Sequence, residues 1–102
     1  MPDQHLQYDG LLFAWDPAKA ERNKKKHGIS FDEAMTVFGD VLARIFPDPD
    51  HSEDEERFLL VGLSKVRRIL VVVSVERNEV IRLISARKAT SEERKSYEES
   101  SR

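Results

Sequence analysis

The chain of 102 residues contains no cysteine, so it has no disulfide framework, no thiolate zinc site and no thiol nucleophile. It also lacks a long hydrophobic run. No run is longer than Ile69 to Val73, which falls far short of the roughly 20 residues that span a bilayer. Met1-Pro2-Asp3-Gln4-His5 has neither the basic nor the apolar region of a secretory signal, so a cytoplasmic location and no membrane partner are expected. No Gly-rich phosphate loop and no Gly-x-Ser-x-Gly turn occurs, and no cofactor is expected. Nor is there an excess of one charge: 17 Lys+Arg stand against 19 Asp+Glu, a net charge of −2.

What is present is enough for one modest domain, at 39% hydrophobic and 35% charged residues. The charge is unevenly placed. Lys19, Arg22, Lys24, Lys25 and Lys26 outweigh Asp16 and Glu21 in one block. Asp48, Asp50, Glu53, Asp54, Glu55 and Glu56 make the next block acidic, with Arg57 at its end. Lys65, Arg67, Arg68, Arg77, Arg82, Arg87 and Lys88 outweigh Glu76 and Glu79 in the third. Any one cluster can be plain solvated surface. Two basic blocks on separate elements point further, to a polyanion partner.

Residues 1–10 are polar and aperiodic, and are expected to be a disordered tail before a single domain over 11–100. Leu11 to Trp15 reads as a first strand. Asp16-Pro17 opens a helix, since Asp is a favoured N-cap and Pro at N1 loses no needed hydrogen bond. Gly28 is its natural stop. Ser30 to Glu33 is a capping box, and Phe31, Ala34, Met35 and Phe38 give the second helix one buried face. Strands are expected over 41–46, 57–64, 69–77 and 80–88, the last two joined at Asn78-Glu79. Thr90 to Glu93 is another capping box, opening a polar helix that is expected to be loosely held in the free protein. The order predicts an α+β fold: a small antiparallel sheet of four to five strands, two N-terminal helices and one C-terminal helix.

Candidate chemistry falls in three places. Lys24, Lys25, Lys26 and His27 end the first helix, where positive charge offsets the dipole or binds phosphate. His27 is the candidate acid or base, because imidazole titrates nearest neutrality. His5, in the tail, and His51, in the acidic loop, are weaker candidates. Arg57, Arg77 and Arg87 close otherwise apolar strand faces, with Arg87 sharing its face with Ile81, Leu83 and Ser85 while Arg82 points the other way. Such arginines either pair with a carboxylate, Glu56 or Glu76, or aim a guanidinium fork at phosphate. Glu55 or Glu56, beside Arg57, is a candidate base. The acidic loop lacks the central Gly and terminal Glu of a calcium loop, and no metal site is expected there.

Phe13 to Lys19, Asn23, Lys26 to Ala34 and Phe38 to Asp40 together resemble the N-terminal half of the BrnT family. Glu55 to Arg57, Gly62, Val71 to Val73, Glu76-Arg77, Ile81 to Thr90, Glu93-Arg94 and Tyr97 resemble its remainder. The anchors K-H-G-x-x-F-x-E-A and I-S-A-R-x-A are specific in combination. The resemblance implies a RelE-like fold and a ribonuclease toxin of a type II toxin–antitoxin pair, stopping translation by cutting RNA without metal. It implies a BrnA-type antitoxin as partner, and operator DNA bound only through that complex. Its catalytic positions fall on His27, Arg57, Arg77 and Arg87, to which Glu56 is added for proton transfer. Lys24, Lys25, Lys26, Arg67, Arg68 and Arg82 are then candidate RNA-binding residues. Ser74 departs from the pattern, standing where an aromatic is expected. The alternative is a module of the same fold that binds nucleic acid or protein and cuts nothing.

Overall fold

The computed structural model describes residues 2–49 and 56–100. Six strands, β1 (Gln4–Tyr8), β2 (Leu11–Trp15), β3 (Arg44–Pro47), β4 (Arg57–Leu63), β5 (Ile69–Arg77) and β6 (Val80–Lys88), form one sheet in the order β1-β2-β6-β5-β4-β3. Every neighbouring pair is antiparallel except β2 and β6, which run parallel with Phe13 opposite Ile81. The sheet is therefore mixed and six-stranded, not the purely antiparallel sheet of four to five strands expected from the sequence. Helix α1 (Pro17–His27) follows β2, then come α2 (Phe31–Thr36), a 3₁₀ turn at Val37–Gly39 and strands β3, β4 and β5, before β6 returns to lie parallel beside β2.

Strand β1 lies within the segment expected to be a tail. Asp9 and Gly10 both take positive φ, 52° and 80°, and make the tight turn that folds β1 back on β2. Leu6 and Tyr8 then pack on the core, and that burial holds an edge strand whose own sequence is polar. At the other edge, β3 starts later than expected. Asp40 holds residues 41 and 42 in a turn, its Oδ1 accepting from the Leu42 N–H at 2.9 Å.

The helix ends follow local chemistry. Asp16 accepts from the Ala18 N–H at 2.9 Å, and Gly28 closes α1 at φ 73°. Ser30 accepts from the Glu33 N–H at 3.1 Å. Both N-terminal helices lie on one side of the sheet, where Phe13, Trp15, Ile29, Phe31, Leu70, Val72 and Leu83 are buried together. Trp15 and Phe31 meet edge to face at 5.9 Å. Gly62 permits the close approach of β4 to the 3₁₀ turn, since a Cβ there would sit 2.9 Å from Val37 Cγ1 and 2.8 Å from Ala43 Cβ.

Among the described residues the opposite face is only partly covered. Helix α3 (Ser91–Ser100) packs Tyr97 over Val61 and Val71 at one end of it. Two side-chain ties join α3 to the rest of the domain. Arg87 donates to both carboxylate oxygens of Glu93 at 2.7 and 2.9 Å, and the Tyr97 hydroxyl donates to Asp40 Oδ2 at 2.5 Å. Among the described residues no helix is long and apolar enough to cross a membrane.

Candidate nucleic-acid interface

A bulge decides which arginines meet. Val73 pairs with Ser85 but Ser74 pairs with Leu83, so β6 carries one extra residue at Ile84. An extra residue reverses the side-chain parity beyond it. Leu83 and Ala86 therefore both face the helices, and Arg82 and Arg87 both face the other way. This corrects the expectation that Arg82 and Arg87 point to opposite sides, with Arg87 beside Ile81 and Leu83.

Register then builds a row across the open face. Arg57 stands opposite Val75, Val75 opposite Arg82, Arg82 opposite Ala14, and Ala14 opposite His5. Arg77 lies two residues beyond Val75 on the same face, and Arg87 stands opposite Val71. Four arginines from three neighbouring strands thus share the surface that α1 and α2 leave open.

Their partners differ. The Nε of Arg57 is buried and has no hydrogen-bond partner among the described residues, so one of the five donors of its guanidinium is unmatched. Arg82 donates to both oxygens of Asp3, which holds the Asp3 carboxyl below its ordinary range. Arg87 is locked to Glu93, and that hydrogen bond, against the opposing effect of burial, holds the Glu93 carboxyl down at about 2. The carboxylate partner of Arg87 is therefore Glu93, not the Glu56 or Glu76 that the sequence suggests, and that of Arg82 is Asp3.

Other candidates lie elsewhere. Arg68 is bound by the nearly buried Glu33, whose other hydrogen bond comes from the Ser64 hydroxyl at 2.7 Å. That pair fastens the β4–β5 turn to α2 and keeps the Glu33 carboxyl low. Arg67, at the tip of the same turn, is exposed. Lys24, Lys25 and Lys26 are exposed on α1, with Lys25 3.7 Å from Glu21. His27 lines a cavity of about 410 Å³ with Lys19, Arg22, Asn23, Lys26, Ile84 and Ser85. It sits at the free edge of β6, apart from the arginine row. Glu56 is exposed beside Arg57 and lines a smaller hollow with Pro47 and Phe58. Glu55 and His51 lie outside the described residues. Ser74 is 6% exposed on the helix-covered side, so neither it nor an aromatic in its place meets a ligand on the open face.

Sequence reading passed over His5 as part of a tail. The Asp9-Gly10 pair, a strong hairpin signal, places it on the arginine face. It also assigned no structural role to Asn23, whose carboxamide is buried and hydrogen-bonded to Ile29 and Ala86.

A sheet face lined by arginines, backed on the other side by two helices, defines the class: a small α+β protein with a cationic sheet face. A sequence model of the family described as "Ribonuclease toxin, BrnT, of type II toxin-antitoxin system" matches residues 15–93. The crystal structure of the Brucella abortus ribonuclease toxin, BrnT, superposes with a TM-score of 0.59 at 25% identity, covering 76% of this chain and 94% of that one. No curated protein sequence is significantly similar. The chain belongs to the BrnT family of ribonuclease toxins, and that family's systems imply an antitoxin partner.

Proposed function

We propose that the chain cuts RNA on the open sheet face without a metal ion, stops translation in the cytoplasm, and is silenced by a BrnA-type antitoxin that covers this face. Operator DNA is then met only through the toxin–antitoxin complex. The observation that carries the reading is the shared face of Arg57, Arg77, Arg82 and Arg87, with Arg57 Nε buried and unmatched among the described residues.

The reaction is attack of a ribose 2′-hydroxyl on the adjacent phosphorus. The new P–O bond closes a 2′,3′-cyclic phosphate, and the P–O bond to the 5′-oxygen breaks. A base must take the 2′ proton, an acid must protonate the 5′-oxygen, and cations must hold the developing charge. Arg57, Arg77 and Arg87 serve the phosphate through planar, permanently charged donors. Glu56 adjoins Arg57 and is the nearer base, while His27, across the β6 edge, serves a strand that wraps over that edge. Lys24, Lys25, Lys26 and Arg67 extend the phosphate track, joined by Arg82 and Arg68 where phosphate displaces Asp3 and Glu33 from them.

Incubation of a defined RNA with the purified chain in excess EDTA tests the reading. Fragments ending in 2′,3′-cyclic phosphate are expected. Cleavage lost to EDTA and restored by Mg²⁺ would contradict the metal-free route. RNA that is bound but never cut would mark a binding module instead.

A further inference from the structure

Beside the arginine row the open face holds an apolar groove. Phe46 of β3 with Leu59 and Val61 of β4 lie along it, Arg44 stands at the β3 bank, and Glu92 and Tyr97 of α3 stand at the other, enclosing about 240 Å³. Register sets Arg44 opposite Val61 and Phe46 opposite Leu59, so both β3 side chains share this face. The Phe46 ring is 39% exposed, and the Arg44 guanidinium lies over it, 5.4 Å from the ring centre. An aromatic ring and a guanidinium plane lying over it are the surfaces on which unpaired bases stack.

Two neighbours fix what would enter. Arg57 is two residues from Leu59 on the same face, about 7 Å along the strand at roughly 3.3 Å per residue. That span matches the reach from a nucleotide's phosphate to its base. Glu92 is exposed and no described residue bonds its carboxylate, whereas the Glu93 carboxylate is held by Arg87 and Thr90.

We propose that the groove is a subsite for one unpaired guanine of the RNA, with the phosphate of the same nucleotide on Arg57; this rests on the ribonuclease reading. A carboxylate is an acceptor with two oxygens. Guanine's Watson–Crick edge presents two adjacent donors, N1–H and the 2-amino group, and meets both. Adenine and cytosine set one amino group beside an acceptor nitrogen, and uracil's single N–H lies between two carbonyls. Each of these turns a lone pair toward Glu92. The groove is therefore selective for guanine, and Phe46 contributes stacking without selectivity.

The test is an amide NMR titration of the full chain with 5′-GMP, 5′-AMP, 5′-CMP and 5′-UMP at millimolar concentration. Shifts are expected at residues 44–46, 59–61 and 92–97, with GMP bound at least about fivefold more tightly than the rest, the lower end for a bidentate base contact. Glu92→Gln should erase that preference, and Phe46→Leu should weaken all four nucleotides. Shifts confined to α1, equal affinities that Glu92→Gln leaves unchanged, or no shifts at all would each overturn the proposal. The last result is also what a groove reserved for a protein partner would give. The same samples are assayed on RNA. GMP in the groove without cleavage defeats the ribonuclease reading and leaves the subsite standing. Cleavage without guanine preference does the reverse.

Discussion

The carboxamide of Asn23 pairs with the backbone of Ala86 as a neighbouring strand would: its Nδ2 donates to the Ala86 carbonyl at 2.9 Å and its Oδ1 accepts from the Ala86 N–H at 3.0 Å. Strand β2 leaves β6 after Ala14 opposite Arg82, and α1 supplies this one side chain where the ladder has ended. A third bond, from Nδ2 to the Ile29 carbonyl at 2.9 Å, ties the α1–α2 loop to the same point. Asn23→Ala leaves a buried N–H and two carbonyls unmatched, and should cost about 3 kcal/mol. Urea unfolding should show a lower midpoint at an unchanged slope. A midpoint equal to that of the wild type would remove Asn23 from the structural account.

Tyr97 makes the docking of α3 depend on alkaline pH. Burial, and then its hydrogen bond to Asp40, push the Tyr97 hydroxyl from 10.0 up to about 12. The folded state thus holds this proton longer than the unfolded state does. Stability from Tyr97 is complete below pH 10 and is lost as pH rises from 10 toward 12. Thermal unfolding followed across that window should show a steeper fall for the wild type than for Tyr97→Phe. Parallel curves would mean the hydroxyl plays no such part.

The features legible in the sequence are those set by neighbours along the chain. Asp16, Gly28, Ser30 and Thr90 mark helix ends because capping is decided within one turn. Strands β4, β5 and β6 are visible from β-branched content alone. Parity on β6 was not legible, because the bulge at Ile84 is a property of its pairing with β5. The parallel pairing of β2 with β6, and the burial that holds β1, likewise depend on residues far apart in sequence. So the arginines were found as types, but the face they share and the carboxylates they meet were not. Asp9-Gly10 was the one local signal of β1.

Asp3 holds Arg82, which the proposed function places on the RNA track. Its carboxylate occupies both outer nitrogens of that guanidinium on the open face. Asp3→Asn removes the competing charge, and RNA should bind about two- to fivefold more tightly, the range of a surface ion pair. The dependence of affinity on salt should also steepen, because one more phosphate is neutralised. Fluorescence anisotropy of a labelled single strand across a salt series measures both. Equal affinity and equal slope would place Arg82 outside the RNA track.

The account stands most directly on Arg57, whose buried Nε has no hydrogen-bond partner among the described residues. Single-turnover RNA cleavage by the wild type and by Arg57→Ala, in excess EDTA and at saturating enzyme, isolates its part in the chemical step. The account predicts a loss of about 100-fold or more, as for removal of a donor aimed at transition-state charge, with the urea midpoint unchanged. Cleavage by Arg57→Ala at the wild-type rate would contradict it.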